Sequence, residues 1–278
     1  MSGIDSGMTD SPVPAATWCG APIEHWRERW AVPELHIYRR VSSTNDVARE
    51  RAAAGAPAGT VVIADVQTRG RGRRGRSWTT APGAALLLSI VARPAHRAAE
   101  RVLSLRIGLA VARAIETVVP VAVTIKWPND LEIGGRKLAG VLCEGSIEAE
   151  RMAFMVIGVG INLERSDHDW TADVRERATS LSDAAGRPVA VDALATAVVR
   201  ALLGPAAGGR LGLDETERRE LERRDALRGR LVSLEGAPAG RAIGVDPEGA
   251  LLLQQTTHVR RVLAGTVRTL TEDPAEGP

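Results

Sequence analysis

Apolar residues recur along this chain with the periods of helices and of strands. Between positions 97 and 119 they return every three or four residues, which predicts an amphipathic helix (Val102, Leu105, Leu109, Ala112, Ile115). Elsewhere, runs of mostly apolar residues, some rich in β-branched residues, predict strands. These runs are TVVIADVQ, GAALLLSIVA, VAVTIKW, LEIGGRKLAGVLCEGSI and RMAFMVIGVGINL. The fourth run predicts a hairpin that turns at its adjacent glycines, Gly134 and Gly135.

Three further segments carry helix patterns. In SSTNDVARERAAAG, Ser43 and Asp46 have capping-box spacing and Gly55 is a suitable end. VAVDALATAVVRALL predicts an apolar helix, and LDETERRELERRDAL a highly charged one. For the charged helix we expect a solvated face with i,i+4 ion pairs and no chemistry.

The order of these elements predicts an α+β fold. Strands dominate the middle of the chain and helices interrupt them irregularly, which favours a central mixed β-sheet flanked by helices. After Gly229 short strands alternate with turns, which predicts a small β-barrel. We therefore predict a flexible N-terminal tail over 1–32 that ends in a short amphipathic piece, IEHWRERW, a large α+β domain over 33–227 and a C-terminal barrel over 228–272.

Composition excludes several classes of protein. The 36 Lys and Arg against 34 Asp and Glu give a net charge of +2, too balanced for a protein that coats nucleic acid by charge. Two cysteines cannot form a disulfide framework, and five dispersed histidines give no metal-ligand spacing. Neither a signal peptide nor an apolar run of about 18 residues occurs. We expect a cytoplasmic protein with no membrane partner.

The segment TRGRGRRGRSW contains five arginines separated by glycines. Its G-x-G-x-x-G spacing follows a predicted strand, but a dinucleotide site needs a helix there, and Pro82 and Gly83 prevent one. A P-loop is excluded because no G-K-[ST] occurs. A solvated basic loop and a nucleic-acid-binding loop remain possible. The position between two buried strands favours a third interpretation, a loop that wraps a small anion with guanidinium and backbone N–H groups.

The segment KWPNDLEIGGRKLAG supplies a second group of polar residues. It carries Lys126, Asn129, Asp130, Arg136 and Lys137 within twelve positions. Each residue alone would suit a turn or an edge strand. Together with the arginine loop they indicate a site.

These motifs carry a resemblance to a known family. SSTN, GRGRRGRSW, KWPND followed by GRKLAGVL, GVGIN and the late GVDPEGALLLQ resemble biotin protein ligases, also called biotin–[acetyl-CoA carboxylase] ligases, from about Val41 to Leu270. The resemblance implies a class II synthetase-like biotin/lipoate ligase fold followed by an SH3-like barrel, with residues 33–227 as the catalytic biotin- and ATP-binding domain. It implies an ATP-dependent ligase that makes biotinyl-5′-AMP and transfers biotin to a lysine of a biotin carboxyl carrier protein domain. The implied substrates are ATP and biotin, with Mg²⁺.

The resemblance also assigns roles to residues. On the biotin side it assigns Ser43, Thr44, Asn45, Gln67, Arg71, Gly72, Arg73, Lys137 and Gly140. On the ATP and adenylate side it assigns Arg71, Arg74, Arg76, Trp78, Lys126, Asn129, Lys137 and Asn162. Lys137, Arg73 and Asp130 are the expected catalytic residues, and Asp130 is also the candidate Mg²⁺ ligand. We expect the loop of residues 69–78 to be mobile without ligand and to order over the adenylate.

Some alternatives remain open. A lipoate or octanoate ligase or transferase would share the fold and the acyl-transfer chemistry. A basic nucleic-acid-binding module would use the arginine loop alone. Because the segment before Val41 is short and rich in proline, we expect the short form of the family, without an N-terminal DNA-binding domain. We expect no nucleic-acid partner and a monomer or homodimer.

Overall fold

The computed structural model describes residues 11–94, 100–148, 151–165, 170–204 and 211–270. His96, His168, the start of the predicted helix at 97 and the first ten residues of the predicted tail lie outside these ranges. No helix within them is both long enough and apolar enough to cross a membrane.

The strands follow the predicted runs, with additional short strands near the N-terminus. They are β1 (Val13–Pro14), β2 (Thr17–Trp18), β3 (Ala21–Pro22), β4 (Leu35–Arg40), β5 (Val61–Ala64), β6 (Ala85–Ala92), β7 (Thr124–Lys126), β8 (Asp130–Ile133), β9 (Arg136–Glu148), β10 (Arg151–Asn162), β11 (Leu231–Leu234), β12 (Ala237–Val245), β13 (Leu251–Gln254), β14 (Val259–Val262) and β15 (Val267–Thr269). The helices are α1 (Ile23–Trp30), α2 (Thr44–Ala53), α3 (Glu100–Val118), α4 (Ala172–Arg177), α5 (Leu181–Ala185), α6 (Val191–Leu203) and α7 (Glu215–Arg224).

The described strands form a central mixed sheet, which confirms the predicted fold class. Its order is β1-β4-β5-β6-β10-β9-β8-β7, and only β4 and β5 run parallel. Alternate residues of β6 face opposite layers: Leu88 packs with the α3 and α6 side, whereas Val91 packs with the α2 side. Helices cover both faces of the sheet, which explains why β6 is a continuous apolar run.

A five-stranded antiparallel sheet follows at the C-terminus, in the order β14-β13-β12-β11-β15. Its core is continuous with Leu105 of α3 and with Trp127. The indole Nε1 of Trp127 donates to the carbonyl of Gly249 over 2.9 Å. The KWPND motif is therefore anchored against the C-terminal sheet. The exact domain boundaries stay predictions.

The predicted flexible tail is wrong over residues 11–32, whereas its amphipathic piece IEHWRERW forms α1 as expected. Trp18, Trp26 and Trp30 are buried in the core of the central domain, and β1 pairs with β4. Trp30 Nε1 donates to Thr196 Oγ1 of α6 over 2.9 Å. The prolines of this segment suggested a tail, but three large aromatic side chains bury enough apolar surface to fix it.

The prediction of a solvated charged helix is also wrong on one face of α7. Glu217 and Glu220 are buried. Arg106 of α3 pairs with Glu217 at 2.6 Å, and these side chains are only 3% and 8% exposed. The expected i,i+4 pair between Arg224 and Glu220 is present at 3.0 Å. Part of the charge of α7 therefore serves to dock it on α3.

Candidate active site

The arginine loop is a compact excursion between β5 and β6. Its chain reverses where Gly72 N donates to Arg76 O over 2.7 Å, and Trp78 N donates to Gly70 O over 2.9 Å. Only a single 3₁₀ turn forms, at Arg73–Gly75, so no helix N-terminus faces a dinucleotide. A Cβ at Gly70 would clash with the carbonyl of Trp78, so this crossing requires glycine. Exclusion of a dinucleotide-binding fold is confirmed.

A cavity opens beside this loop, over the central strands of the sheet. The loop, the start of α2 and strands β8, β9 and β10 all contribute residues to it. Its lining is Ser43, Thr44, Asn45, Gln67, Arg71, Gly72, Arg73, Arg76, Ser77, Trp78, Leu87, Asn129, Asp130, Lys137, Gly140, Val141, Leu142, Gly158, Val159 and Gly160. Both predicted groups of polar residues therefore meet at one cavity, although their individual roles stay predictions.

Lys137 lies on one wall of the cavity beside a carboxylate and an aromatic ring. Its Nζ donates to Asp130 Oδ1 over 2.7 Å and lies 5.3 Å from the centroid of the Trp78 ring. The indole rests on glycine: a Cβ at Gly160 would lie 2.9 Å from the ring. Trp78 Nε1 is buried with no hydrogen-bond partner in the described part of the chain. This wall can therefore present a cation and a flat apolar face.

The N-terminus of α2 supplies another part of the lining. Thr44 donates to Gln67 Oε1 from its backbone N over 2.7 Å and from Oγ1 over 3.0 Å. Ser43 is the N-cap residue, but its side chain makes no cap hydrogen bond, so the predicted capping box with Asp46 does not form. Asp46 instead accepts two hydrogen bonds from Arg71, at 2.9 and 2.6 Å.

The ion pair between Arg71 and Asp46 keeps both side chains charged. The hydrogen bonds from Arg71 hold the pKa of Asp46 below its usual value, against the effect of burial. The pairing with Asp46 raises the pKa of Arg71. Arg71 therefore stays cationic at the cavity wall, with one edge of its guanidinium held by helix α2.

Asn129 clamps the end of β8 to β9. Its side-chain Nδ2 donates to Val141 O over 2.7 Å, and Val141 N donates to Asn129 O over 3.0 Å. The PND segment is thus held in place beside Lys137. This explains why an amide follows the proline there.

Three predicted site residues do not line the cavity. Arg74 contacts Glu235 and lies 3.5 Å from Thr266 Oγ1, both on turns of the C-terminal sheet. Lys126 pairs with Glu132 at 3.1 Å. These two side chains are therefore directed at the protein itself.

Asn162 is the third such residue. Its Nδ2 donates to Thr179 O over 3.0 Å, and Thr179 N donates to Lys137 O over 2.9 Å. Asn162 thus anchors the extended segment that pairs with the backbone at Lys137. We leave all three residues out of the proposed site.

Sequence analysis missed the polar groups behind the cavity wall. Glu144 on β9 accepts a hydrogen bond from Asn45 Nδ2 over 2.6 Å and pairs with Arg49 at 2.8 Å. Ser89 on β6 lies 2.6 Å from Asn45 Oδ1. A serine and a glutamate within otherwise apolar strand runs were the signal that could have revealed them.

The metal-ligating capacity of the cavity is small. The described residues contain no group of three or more His, Cys, Asp or Glu that could hold a metal ion. Asp130 is a single carboxylate in the lining. That suits Mg²⁺ that arrives with a nucleotide, since this ion commonly uses one or two carboxylates plus substrate phosphates.

Comparison with known proteins decides the family. The model of the biotin/lipoate A/B protein ligase family matches residues 37–162. The bifunctional ligase/repressor BirA of Bacillus subtilis is 34% identical over 239 residues, which cover 83% of this chain and 73% of that protein. This chain belongs to the biotin/lipoate A/B protein ligase family.

One further relative agrees with this membership, and a solved structure shares the fold. The biotin–[acetyl-CoA-carboxylase] ligase of Mycobacterium tuberculosis is 37% identical over 156 residues, 54% of this chain and 55% of that protein. The structure of biotin protein ligase from Aquifex aeolicus in complex with biotin and ATP is similar with a TM-score of 0.69 at 24% identity. It covers 86% of this chain and 100% of that one. The shared fold includes both the central sheet and the C-terminal sheet of this family member.

Proposed function

We propose that this protein activates biotin with ATP as biotinyl-5′-AMP and transfers the biotinyl group to a lysine of a biotin carboxyl carrier protein domain. The observation that carries the proposal is the convergence of Arg71, Arg73 and Lys137 on one cavity. A similar bacterial protein is named as an acetyl-CoA-carboxylase ligase, which supports a carboxylase carrier as partner. The proposal distinguishes biotin from the lipoyl or octanoyl substrates that other members of this family use.

The first step brings two anions together. The biotin carboxylate attacks the α-phosphorus of ATP, and pyrophosphate leaves. Two unit charges about 4 Å apart repel by about 4 kcal/mol at an effective dielectric constant of about 20. Lys137 supplies a point charge that can bridge carboxylate and phosphoryl oxygens, and the arginines can bind such oxygens bidentately. No base is needed, because biotin is already ionised.

The second step needs a neutral amine. The carrier lysine attacks the carbonyl of the mixed anhydride and AMP leaves. Asp130 is the carboxylate nearest to Lys137 in the cavity, and we assign to it a part in removing the proton of the incoming amine. Mg²⁺, when bound with the nucleotide, would be held by Asp130 and the phosphates and would neutralise phosphate charge.

The arginine loop has a second role in this proposal. An acyl-adenylate hydrolyses if water reaches it, so a cover that closes over the intermediate is physically useful. Arg73, Arg76 and Trp78 belong to both the loop and the cavity lining. We propose that residues 69–78 order on binding of biotin, which limited proteolysis with and without biotin will test.

Incubation with ATP, Mg²⁺, labelled biotin and a biotin carrier domain tests the function directly. We expect covalent label on the carrier that requires both ATP and biotin. Label transferred from lipoate but not from biotin would instead assign the chain to the lipoate branch. Near-zero net charge supports the absence of a nucleic-acid partner, and size-exclusion chromatography will distinguish monomer from homodimer.

A further inference from the structure

The polar groups behind the cavity wall form a connected network around Asn45. Its side chain is 3% exposed, and the residue contributes to the cavity lining. One end of the amide contacts Glu144 over 2.6 Å, and the other end lies 2.6 Å from Ser89 Oγ. Both ends of this amide therefore have partners inside the protein.

The chemistry of these partners decides which end is which. A carboxylate only accepts hydrogen bonds, so the atom of Asn45 that faces Glu144 must be the NH₂ group. The atom that faces Ser89 is then the carbonyl oxygen, and the Ser89 hydroxyl must donate to it. A neutral partner at position 144 would not impose this choice, because an amide or a hydroxyl can both donate and accept.

The carbonyl oxygen of Asn45 lies over Gly158, and both residues line the cavity. A Cβ at Gly158, which lines the cavity, would clash with this oxygen, so the absence of a side chain there lets the oxygen approach. A carbonyl oxygen has two lone pairs, and Ser89 uses one of them. The second can accept an N–H from a ligand.

We propose that Glu144 is a positioning residue for ligand selection, which rests on the proposed function of a biotin ligase. By orienting Asn45, Glu144 presents an acceptor to the cavity. That acceptor matches a ring N–H of a cyclic urea such as the biotin head group. The dithiolane ring of lipoate has no N–H and leaves the acceptor unpaired, so the arrangement favours biotin.

Exchanging the two functional groups tests this orientation. N45D alone places two carboxylates at about the present 2.6 Å contact. Because the two like charges repel each other, we expect the side chain at 45 to be displaced and the KM for biotin to rise by roughly 100-fold. In N45D/E144Q the amide at 144 donates to the carboxylate at 45, which still presents an oxygen to the cavity. We expect the double variant to return to within roughly fivefold of the wild-type KM for biotin. A double variant as impaired as N45D would overturn the proposal.

The isosteric variant E144Q supplies a second measurement. We expect its KM for biotin to rise roughly five- to tenfold, while its KM for ATP stays unchanged. An unchanged KM for biotin overturns the proposal. R49M is the matched control, because it removes the 2.8 Å ion pair between Arg49 and Glu144 but leaves the contacts of Glu144 with Asn45 and, at 3.7 Å, with Arg71. Its KM for biotin should equal that of the wild type, and melting temperatures will show that each variant folds.

The experiments distinguish an error in the proposed function from an error in the role of Glu144. If the wild-type protein neither binds biotin nor releases pyrophosphate in its presence, the proposed function is wrong and the role of Glu144 is wrong with it. If the wild type is active and the exchange variant does not recover, only the role of Glu144 is wrong.

Discussion

Replacement of Lys137 by methionine removes the cation but keeps most of the side-chain volume. In the structure Lys137 Nζ lies 2.7 Å from Asp130 Oδ1 and 5.3 Å from the Trp78 ring centroid. The Lys137 cation is the main group that offsets the repulsion of about 4 kcal/mol between two anions about 4 Å apart. Loss of that full amount would slow the reaction by about three powers of ten. The Lys137 side chain is 33% exposed, and solvent screening reduces this loss. We expect biotin-dependent pyrophosphate release to slow by about 100- to 1000-fold.

The assay is single-turnover pyrophosphate release at saturating ATP and biotin. Lys126→Met is the matched control, because Lys126 belongs to the same sequence segment but pairs with Glu132 at 3.1 Å and does not line the cavity. Its rate should stay within about threefold of the wild type. A K137M rate within tenfold of the wild type would refute the assignment of Lys137.

Three further predictions concern other parts of the molecule. G158A should raise the KM for biotin by at least about tenfold in steady-state assays, because the new Cβ clashes with Asn45 Oδ1; an unchanged KM would contradict the geometry. R74E, which breaks the contact with Glu235, should speed the release of biotinyl-AMP by up to about fivefold, and R74E/E235R should reverse the effect in the same filtration assay. Burial raises the pKa of Asp225, whose Oδ2 has no partner among the described residues. Folding therefore favours the protonated form of Asp225. The stability that this protonation contributes is present at low pH and is lost as the pH rises through the pKa of Asp225 in the folded protein. D225N should therefore raise the melting temperature at pH 7 and have a smaller effect near pH 4; equal effects at both values would contradict this account.

Local patterns predicted most of the central sheet. The run GAALLLSIVA became β6 because a strand covered by helices on both faces is apolar at most positions, with Ser89 as the exception. The turn at Gly134 and Gly135 joins β8 to β9 as expected. The N-terminal segment was mispredicted because its stability comes from Trp30 packing on α6, far away in sequence. Such long-range burial leaves no local pattern.

Only some residues of the candidate site were predicted correctly, because long-range contacts decide where the others lie. Residues grouped in motifs, such as Arg71 and Lys137, line one cavity. Asn162 and Arg74 carried equally polar side chains, but their partners are Thr179 and Glu235, which no spacing rule connects to them. Glu144 was missed because its importance lies in the chemistry of one contact with Asn45. Motifs identify which residues are polar, whereas the fold decides what each one faces.

The central claim is that Lys137 and the loop arginines allow a carboxylate and ATP to react in one cavity. Exchange of labelled pyrophosphate into ATP measures the reversal of that step without any carrier protein. The account predicts exchange that requires biotin, is absent with lipoate and is lost in K137M. Exchange that proceeds equally without biotin, or that persists unchanged in K137M, would contradict it.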